Sequence, residues 1–501
     1  MLAVAQMMMG ETSDMRRRNS GPRIGDQVVR VPRAAQTAPV DVPVTPRSVS
    51  TRGIASPMSL IYGFFIIDLI GTGLLLLPMS SKAPGFANPL TCLFTATTSV
   101  TVTGLVTVDT LEHWTVFGQT VILSLIFIGG LGFMTGAAFL IIIVGQELRL
   151  QNRLIVREGL GWGELGGITT LVRNIVLFAV IAQLIGVVVL WVYWTLIRNL
   201  WEGFDFWHTV WLAFFHGISA FNNAGIEILP NDVVGGDSLH GFAADYFTLF
   251  VFASLILIGG TGYVLWSDVW RNKSFRWLRL ESKLILIGTA GLLMTGFITF
   301  AIGEWSNPGT SGSSSVVQKI ADAFFHSFSA RTAGFSIIDY GQASSATDTA
   351  TEVLMFIGGV SGTTAGGIKV NTFMVMVVAA IATMSGRNSI NIFRSHIRSS
   401  TVQRALVLGG VSAAIVVIIA YVALQLQSDL PTRDVLFQVV SAAATVGLDT
   451  GITSKLNAPT QGLVIFAMFL GRFGPLSLAL LMAGRQIEQR YSFPTEEVRI
   501  G

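Results

Sequence analysis

The sequence predicts an all-α polytopic membrane protein, in which four pseudo-symmetric helix–re-entrant pore loop–helix repeats surround a central ion pore. Three observations lead to this fold class. Of the 501 residues, 51% are hydrophobic and only 12% are charged, against roughly 25% charged residues in a soluble domain. Eight apolar stretches have about the length of a membrane-spanning helix. Two glycine-containing motifs recur four times in the same order.

The eight predicted spans follow a polar N-terminal segment. They cover residues 58–80, 116–144, 171–197, 246–270, 284–303, 353–384, 405–427 and 462–484. Residues 1–57 hold eight arginines against four acids, and no apolar segment follows the arginine run as it would in a signal peptide. The composition therefore predicts a disordered basic cytoplasmic tail.

Basic residues predict the orientation of the spans, because cytoplasmic loops carry an excess of Lys and Arg. With the tail inside, 24 of the 32 bases fall on the inner side and six on the outer side. The outer six are Lys82, Arg198, Lys319, Arg331, Arg433 and Lys455. Both termini are thus predicted to be cytoplasmic in a plasma membrane, which is the inner membrane in bacteria. A net charge of +3, distributed in this way, does not indicate a nucleic-acid partner.

The outer connections contain the first repeated motif, a short apolar segment that ends in glycine. The four copies are FTATTSVTVTG (94–104), FHGISAFNNAG (215–225), FFHSFSARTAG (324–334) and FQVVSAAATVG (437–447). The second motif lies in the next span, as FIGGLGF (127–133), LIGGTGY (257–263), FIGGVSG (356–362) and FLGRFGP (469–475). Two motifs in register indicate an internal repeat. The predicted units are 58–150, 151–275, 276–390 and 391–501.

The glycines that end the outer motif predict an ion filter. Non-helical backbone is tolerated at membrane depth where it is buried in protein or lines a watery cavity, and backbone carbonyls can replace the water shell of a cation. Glycine allows positive φ and a close approach to the axis. Nine acids on the outer side either form a solvated surface or concentrate cations at the mouth. They are Asp109, Glu112, Glu202, Asp205, Glu227, Asp232, Asp237, Asp339 and Asp449.

The four turns TVTGL (101–105), NNAGI (222–226), RTAGF (331–335) and ATVGL (444–448) resemble the filter of the Trk/Ktr/HKT superfamily of potassium transporters. GGVSGTTAGGIKVNTF (358–373) and GRFGPLSLAL (471–480) resemble two further motifs of that family, and eight spans are most similar to the Ktr-type membrane subunit. The resemblance implies a potassium-binding filter made by three residues of each turn. These are Val102, Thr103, Gly104, Asn223, Ala224, Gly225, Thr332, Ala333, Gly334, Thr445, Val446 and Gly447.

The same resemblance implies the activity and the partners. It implies potassium uptake through a single-filter, channel-like pore, with potassium as the transported ion and with a sodium dependence that is common in the Ktr type. Serine in the first repeat goes with sodium uptake in this family, and Gly104 stands at that place here. The implied assembly is a homodimer in membrane lipid, on a cytosolic ring of nucleotide-binding regulatory subunits.

A gate is predicted where glycines and small hydroxyl residues interrupt the sixth span, because such a run does not easily persist as a helix. The resemblance likewise implies an intramembrane gating loop at 358–368. The predicted gate residues are Gly358, Gly359, Gly362, Thr363, Thr364, Gly366, Gly367, Lys369 and Arg472. Arg472, where the other repeats have glycine, is interpreted as an electrostatic barrier or as a tie to this loop. Asp68 is either a partner of these bases or an acid that packs between helices.

Two other classes of function fit the sequence less well. A secondary cation transporter with alternating access would use the broken helix at 358–368 as its site, but it would show two related halves. A membrane-embedded enzyme would show clustered catalytic carboxylates or histidines, and none stand at catalytic spacing. His216 and His326 are interpreted as packing residues because no second metal ligand accompanies them. The chain is therefore predicted not to be an enzyme.

Overall fold

The computed structural model describes residues 57–131, 168–200, 203–230, 238–363, 365–387 and 389–483. The predicted tail, the segment between residues 131 and 168 and the C-terminus after residue 483 lie outside the described residues. The described residues are mainly helical, and they include a short antiparallel hairpin of β1 (Asn391–Ile392) and β2 (Ser395–His396).

The helices form four consecutive units, each with an outer helix, a shorter pore helix and an inner helix. The first unit contains α1 (Pro57–Leu75), α2 (Pro89–Thr101), a single turn α3 (Thr110–His113) and α4 (Val116–Gly130). The second contains α5 (Ile168–Val192), which a π-helical turn (Tyr193–Ile197) extends, then α6 (Phe206–Asn222) and α7 (Tyr246–Asn272). The third contains α8 (Leu280–Glu304), α9 (Val316–Ser329), α10 (Ser345–Phe356) and α11 (Val370–Met384). The fourth contains α12 (Ser399–Leu426), α13 (Thr432–Ala444) and α14 (Ala458–Ala483). The predicted fold class is confirmed.

Among the described residues, four helices are long and apolar enough to cross a membrane by themselves: Thr169–Ile197, Tyr246–Asn272, Leu280–Glu304 and Ser399–Leu426. The sixth predicted span, 353–384, differs most from the structure. It is divided into α10 and α11, and α10 already begins at Ser345 because the Ser344 hydroxyl accepts a hydrogen bond from the Thr347 N–H at 3.2 Å and caps the helix.

The pore helices are too short to span a bilayer. Their lengths are 13, 17, 14 and 13 residues, and at about 1.5 Å per residue none reaches the roughly 30 Å of the hydrocarbon core. Each carries a fully buried phenylalanine, which anchors it inside the bundle. These are Phe94, Phe215, Phe325 and Phe437.

The four units close into a circle. The inner helix of each unit packs against the pore helix of the next: α4 against α6, α7 against α9, α10 against α13, and α14 against α2. Outer helices instead expose large apolar side chains, including Phe65, Leu184 and Val417. Since a soluble protein would bury such faces, the arrangement fits a multi-pass protein whose outer surface faces lipid and whose pore helices surround one axis.

Candidate functional site

The turns that follow the four pore helices share one backbone feature. The residue two places before the motif glycine has a positive φ in every repeat, with values of 57° at Val102, 58° at Asn223, 69° at Thr332 and 49° at Thr445. The glycines that follow also have positive φ. This left-handed conformation costs a residue with a Cβ roughly 1–2 kcal/mol, so the tertiary structure holds all four turns in a strained backbone.

The motif glycines form a closed ring, which we call the glycine ring: Gly104, Gly225, Gly334 and Gly447. A methyl group placed on any one of them would lie within 3 Å of a carbonyl oxygen in the next turn. The oxygens that would be met belong to Ala224, Ala333, Val446 and Thr103, in that order around the ring. The backbones of the four turns therefore touch one another around the axis, and there is no room for a Cβ.

Hydroxyl groups of the pore helices hold these turns in two different ways. In the first and fourth repeats, the hydroxyl six residues earlier accepts a hydrogen bond from the ring glycine: Gly104 N–H to Thr98 at 3.0 Å, and Gly447 N–H to Ser441 at 3.1 Å. In the second repeat, the Ser219 hydroxyl donates to the carbonyl oxygen of Ile226 at 2.6 Å.

The turn of the third repeat is one residue shorter. Ser329 makes the bond that corresponds to that of Ser219, to the carbonyl oxygen of Phe335, but it stands five residues before its glycine instead of six. A sequence alignment that counts back from the ring glycine therefore places the third pore helix one residue out of register with the other three.

Beyond the glycine ring the pore widens into a cavity of about 810 Å³, and all four ring glycines line it. Four carboxylates that were predicted at the outer mouth also line it, together with a single lysine, Lys455. They are Asp109, Glu227, Asp339 and Asp449. This excess of negative charge attracts cations towards the ring.

Of the five other acids predicted at the mouth, the two that are described, Asp205 and Glu112, are not among the residues that line this cavity. Glu202, Asp232 and Asp237 lie outside the described residues. Asp205 instead caps α6, where its carboxylate accepts a hydrogen bond from the Trp207 N–H at 3.2 Å. Glu112 follows the cap of α3 and lies on the surface of that turn.

The predicted gate is a loop between α10 and α11, and we call residues 358–368 the gating loop. Its two ends are joined by backbone hydrogen bonds: Gly358 N–H to Ile368 O at 2.9 Å and Ile368 N–H to Phe356 O at 3.0 Å. Gly362 and Gly367 have positive φ, of 80° and 63°. The loop is therefore an ordered, non-helical structure inside the bundle. Thr364 lies outside the described residues.

The gating loop packs directly against the filter turn of the fourth repeat. A methyl group placed on Gly366 would overlap the Thr445 hydroxyl and come within 2.6 Å of the Ala444 carbonyl oxygen. A methyl group placed on Gly358, in turn, would overlap the carbonyl oxygen of Gly366. The loop therefore lies against the filter, in a place where only glycine fits.

On its other side the gating loop packs against a break in α7 that the sequence did not predict. Gly262 has φ 71° and ψ 165° inside that helix, and a methyl group on it would lie 2.6 Å from the Thr363 side chain. The carbonyl oxygen of Gly260 accepts a hydrogen bond from Val360 N–H at 3.1 Å. Thus the second repeat, like the third, has an irregular inner helix, and the two irregular segments touch.

The two bases predicted at the gate have different contacts. Lys369 donates from its ammonium group to the carbonyl oxygen of Ala365, within the gating loop. Arg472 is buried and donates from Nη2 to the carbonyl oxygen of Gly129, in the first repeat, at 2.5 Å. Its bond is therefore made to the inner helix of a neighbouring unit and not to the gating loop.

Asp68 is a packing acid and not the partner of these bases. Its carboxylate is fully buried and accepts a hydrogen bond from the Thr97 hydroxyl at 3.3 Å. Among the described residues, neither Lys369 nor Arg472 has a carboxylate within 4.0 Å. Asp68 therefore does not pair with either base.

Arg331 was counted from the sequence as an outer base, and this assignment was wrong. Its side chain is buried, with 8% of its surface exposed, and its Nη2 donates to the carbonyl oxygen of Gly358 at 3.4 Å. The charge count failed here because it treats every residue between two spans as exposed, whereas this one belongs to the buried turn of a re-entrant segment.

The two pore-helix histidines are held by hydrogen bonds within the protein. His216 contacts the Leu212 carbonyl oxygen at 2.7 Å and accepts from the Ile228 N–H at 3.2 Å. His326 contacts the Tyr340 hydroxyl at 2.6 Å and the Thr351 hydroxyl at 3.3 Å. Both rings therefore act as packing groups, as the sequence predicted.

Comparison with known proteins identifies the relatives of this architecture. The model of the TrkH family, described as cation transport protein, matches residues 49–490. The chain is 37% identical over 445 residues to the Ktr system potassium uptake protein B of Bacillus subtilis, covering 89% of this chain and 96% of that protein. It is 36% identical over 453 residues to the potassium/sodium uptake protein NtpJ of Enterococcus hirae, covering 89% and 97%. The crystal structure of the potassium transporter TrkH from Vibrio parahaemolyticus shares the fold, with a TM-score of 0.63 at 15% identity over 88% of this chain and 86% of that one.

Proposed function

Since the chain belongs to the TrkH family of cation transport proteins, we propose that it carries potassium into the cell through one pore whose selective site is the glycine ring. The observation that carries this proposal is the closed contact of four ring glycines at the floor of an acidic cavity. Carbonyl oxygens of the four turns replace the hydration shell of the ion. The membrane potential drives uptake with about 2.3 kcal/mol per charge per 100 mV.

The gating loop controls this flux. In the structure described, it lies against the fourth filter turn and bonds to the broken helix α7, which supports its role as an obstruction below the filter. The positive charges of Lys369 and Arg472 add an electrostatic barrier at that depth. Two of the relatives are potassium uptake and potassium/sodium uptake proteins, which favours this reading over a transporter with alternating access. NtpJ also supports sodium as a second ion of the cycle.

The proposal extends to the assembly. The membrane chain forms a homodimer in lipid, both of its termini are cytoplasmic, and a cytosolic ring of nucleotide-binding subunits displaces the gating loop. Support for a separate regulator comes from relatives that are components of a Ktr system. Support for the orientation comes from the 24 of 32 bases that the sequence places on one side.

The test is potassium or rubidium uptake into cells that lack their own potassium transporters, with Gly104→Ser compared with the parent chain. Serine adds a Cβ and a hydroxyl where the Ala224 carbonyl oxygen leaves no room. We expect the parent to prefer potassium, and the variant to lose that preference over sodium because the ring is distorted at one of its four contacts.

Gly291→Ser is the matched control. Gly291 lies in α8, and a Cβ on it would meet no atom within 4 Å, so this variant should retain parental selectivity. Equal selectivity of Gly104→Ser and the parent, at equal amounts in the membrane, would contradict the filter assignment and favour a site elsewhere in the bundle.

A further inference from the structure

Arg331 is the starting point, because the proposed transport cycle does not use it and its charge is buried. Beyond the bond from Nη2 to Gly358, its Nε has no hydrogen-bond partner among the described residues. A buried guanidinium N–H that is left unsatisfied costs about 1–3 kcal/mol or more. The structure therefore calls for a further acceptor next to Nε.

A second unsatisfied atom lies in the neighbouring filter turn. The side-chain oxygen Oδ1 of Asn223 is buried and also has no partner in the part of the chain that is described. Arg331 and Asn223 line the same small cavity, between the second and third repeats. Nε of Arg331 is a hydrogen-bond donor, and Oδ1 of Asn223 is an acceptor.

The size of this cavity suits one water molecule. Its volume is about 20 Å³, and about 10–15 Å³, counted as the space open to the centre of a water, is sufficient for one. Gly260 and Gly359 contribute to the lining, and their missing side chains leave the room. A cation is excluded by the guanidinium beside it.

We propose that this cavity binds one structural water, which accepts a hydrogen bond from Arg331 Nε and donates one to Asn223 Oδ1. The water joins the filter turns of the second and third repeats. It also fixes the guanidinium whose other end holds Gly358, the first residue of the gating loop. Arg331 is thus a positioning residue that links the filter to the gate.

The water site stands on geometry alone, whereas its effect on gating rests on the proposed function of the loop, and two measurements separate them. The first is a crystal structure of the full chain grown in rubidium chloride, at a resolution that shows ordered water. We expect a water peak within hydrogen-bonding distance of both atoms and without an anomalous rubidium signal. An empty cavity, or an anomalous peak in it, would overturn the water site.

The second measurement is the potassium leak of proteoliposomes that contain the full chain alone. Asn223→Val removes the acceptor, and the same turn position in the first repeat is already valine, at Val102 with φ 57°, so the turn tolerates this side chain. Without the water, Arg331 no longer holds Gly358 in place, and the leak should rise about tenfold, since a hydrogen bond to a charged group contributes that order of stabilisation.

Leu293→Ala is the matched control, because Leu293 lines the same cavity and the substitution keeps both polar atoms. Its leak should equal that of the parent. An unchanged leak in Asn223→Val, in a protein whose parent structure holds the water, would overturn the link to the gate while leaving the water site standing.

Discussion

The glycine ring and the gating loop use the same residue type for different purposes. In the ring, four glycines make four equivalent contacts, each with the next turn. In the gating loop the glycines contact different neighbours, among them the fourth filter turn, the loop itself, α10 and the broken helix α7. A symmetric ring fixes one diameter, because moving any turn displaces the next. A loop held by unlike contacts can be released at one of them while the others remain.

The inner glycines show where this difference arises. In the first, second and fourth repeats, a methyl group on Gly129, Gly259 or Gly471 would strike the end of that repeat's own pore helix, at a carbonyl oxygen four residues before the ring glycine. In the third repeat, Gly358 instead meets the gating loop at Gly366. The loop thus occupies the place where the other repeats make a helix-to-helix contact.

The largest effect should come from breaking the ring. Among the four ring glycines, a Cβ added to Gly447 would lie closest to the carbonyl oxygen of the next turn. A Cβ added to Gly225 would lie farthest from that oxygen, at 2.8 Å. A Cβ at such a positive-φ position adds about 2–3 kcal/mol of strain. Gly447→Ala should therefore reduce potassium selectivity over sodium about 30- to 140-fold, and Gly225→Ala should reduce it less.

The measurement is competitive rubidium and sodium uptake at matched protein levels. Equal losses in the two alanine variants would mean that the backbone conformation, and not the contact between turns, sets the diameter. Intact selectivity in both would contradict the ring as the selective element.

The position of the four glycine turns could be predicted because their motif occurs four times in the sequence: one glycine is weak evidence, whereas four in register are strong evidence. The non-helical segment at 358–368 could also be predicted, because the run from Gly358 to Gly367 is unusually rich in glycine, while its role as a gate stays a prediction. The sequence did not predict the break at Gly262, since a single glycine in a helix costs only about 1 kcal/mol and its conformation depends on packing against Thr363. Nor did it predict the buried Arg331, because local charge counting cannot see which turns fold back into the bundle.

The next effect should come from releasing the loop without touching the ring. In Gly366→Ala the added methyl group overlaps the Thr445 hydroxyl, so the loop must leave its position against the filter. We expect the potassium leak of proteoliposomes containing the chain alone to rise about tenfold, with the preference for potassium over sodium unchanged.

Gly410→Ala is a suitable control for Gly366→Ala, because Gly410 lies in α12 and a Cβ on it would meet no atom within 4 Å. A loss of selectivity in Gly366→Ala would show that the gating loop and the ring cannot be perturbed separately.

A smaller effect is expected at Arg472, which lies below the ring but bonds to the first repeat. Arg472→Gln keeps a side-chain donor for the Gly129 carbonyl oxygen and removes the charge. One unit charge contributes about 1 kcal/mol to an electrostatic barrier at short range. The potassium flux per protein molecule should therefore rise about fivefold. Arg472→Lys, which keeps the charge, should stay within about twofold of the parent. Similar increases in both variants would assign the effect to the lost packing and not to the barrier.

The smallest effect is expected at the outer mouth, where Asp449 lines the cavity above the ring. Burial raises the pKa of its carboxyl, although the hydrogen bonds from Thr453 and Ile452 oppose this shift. Because the pKa is raised, this negative charge is lost at a higher external pH than that of an ordinary aspartate, and potassium affinity should fall as the external pH falls through that range.

Asp449→Asn keeps an acceptor for the Ile452 N–H, which lies 3.1 Å from the carboxylate of the parent chain. It should weaken the apparent potassium affinity about twofold at neutral pH and remove this part of the pH dependence. Affinity measured by rubidium uptake against external pH decides the question: a variant that keeps the parental pH profile would show that the charge of Asp449 does not act on the ion.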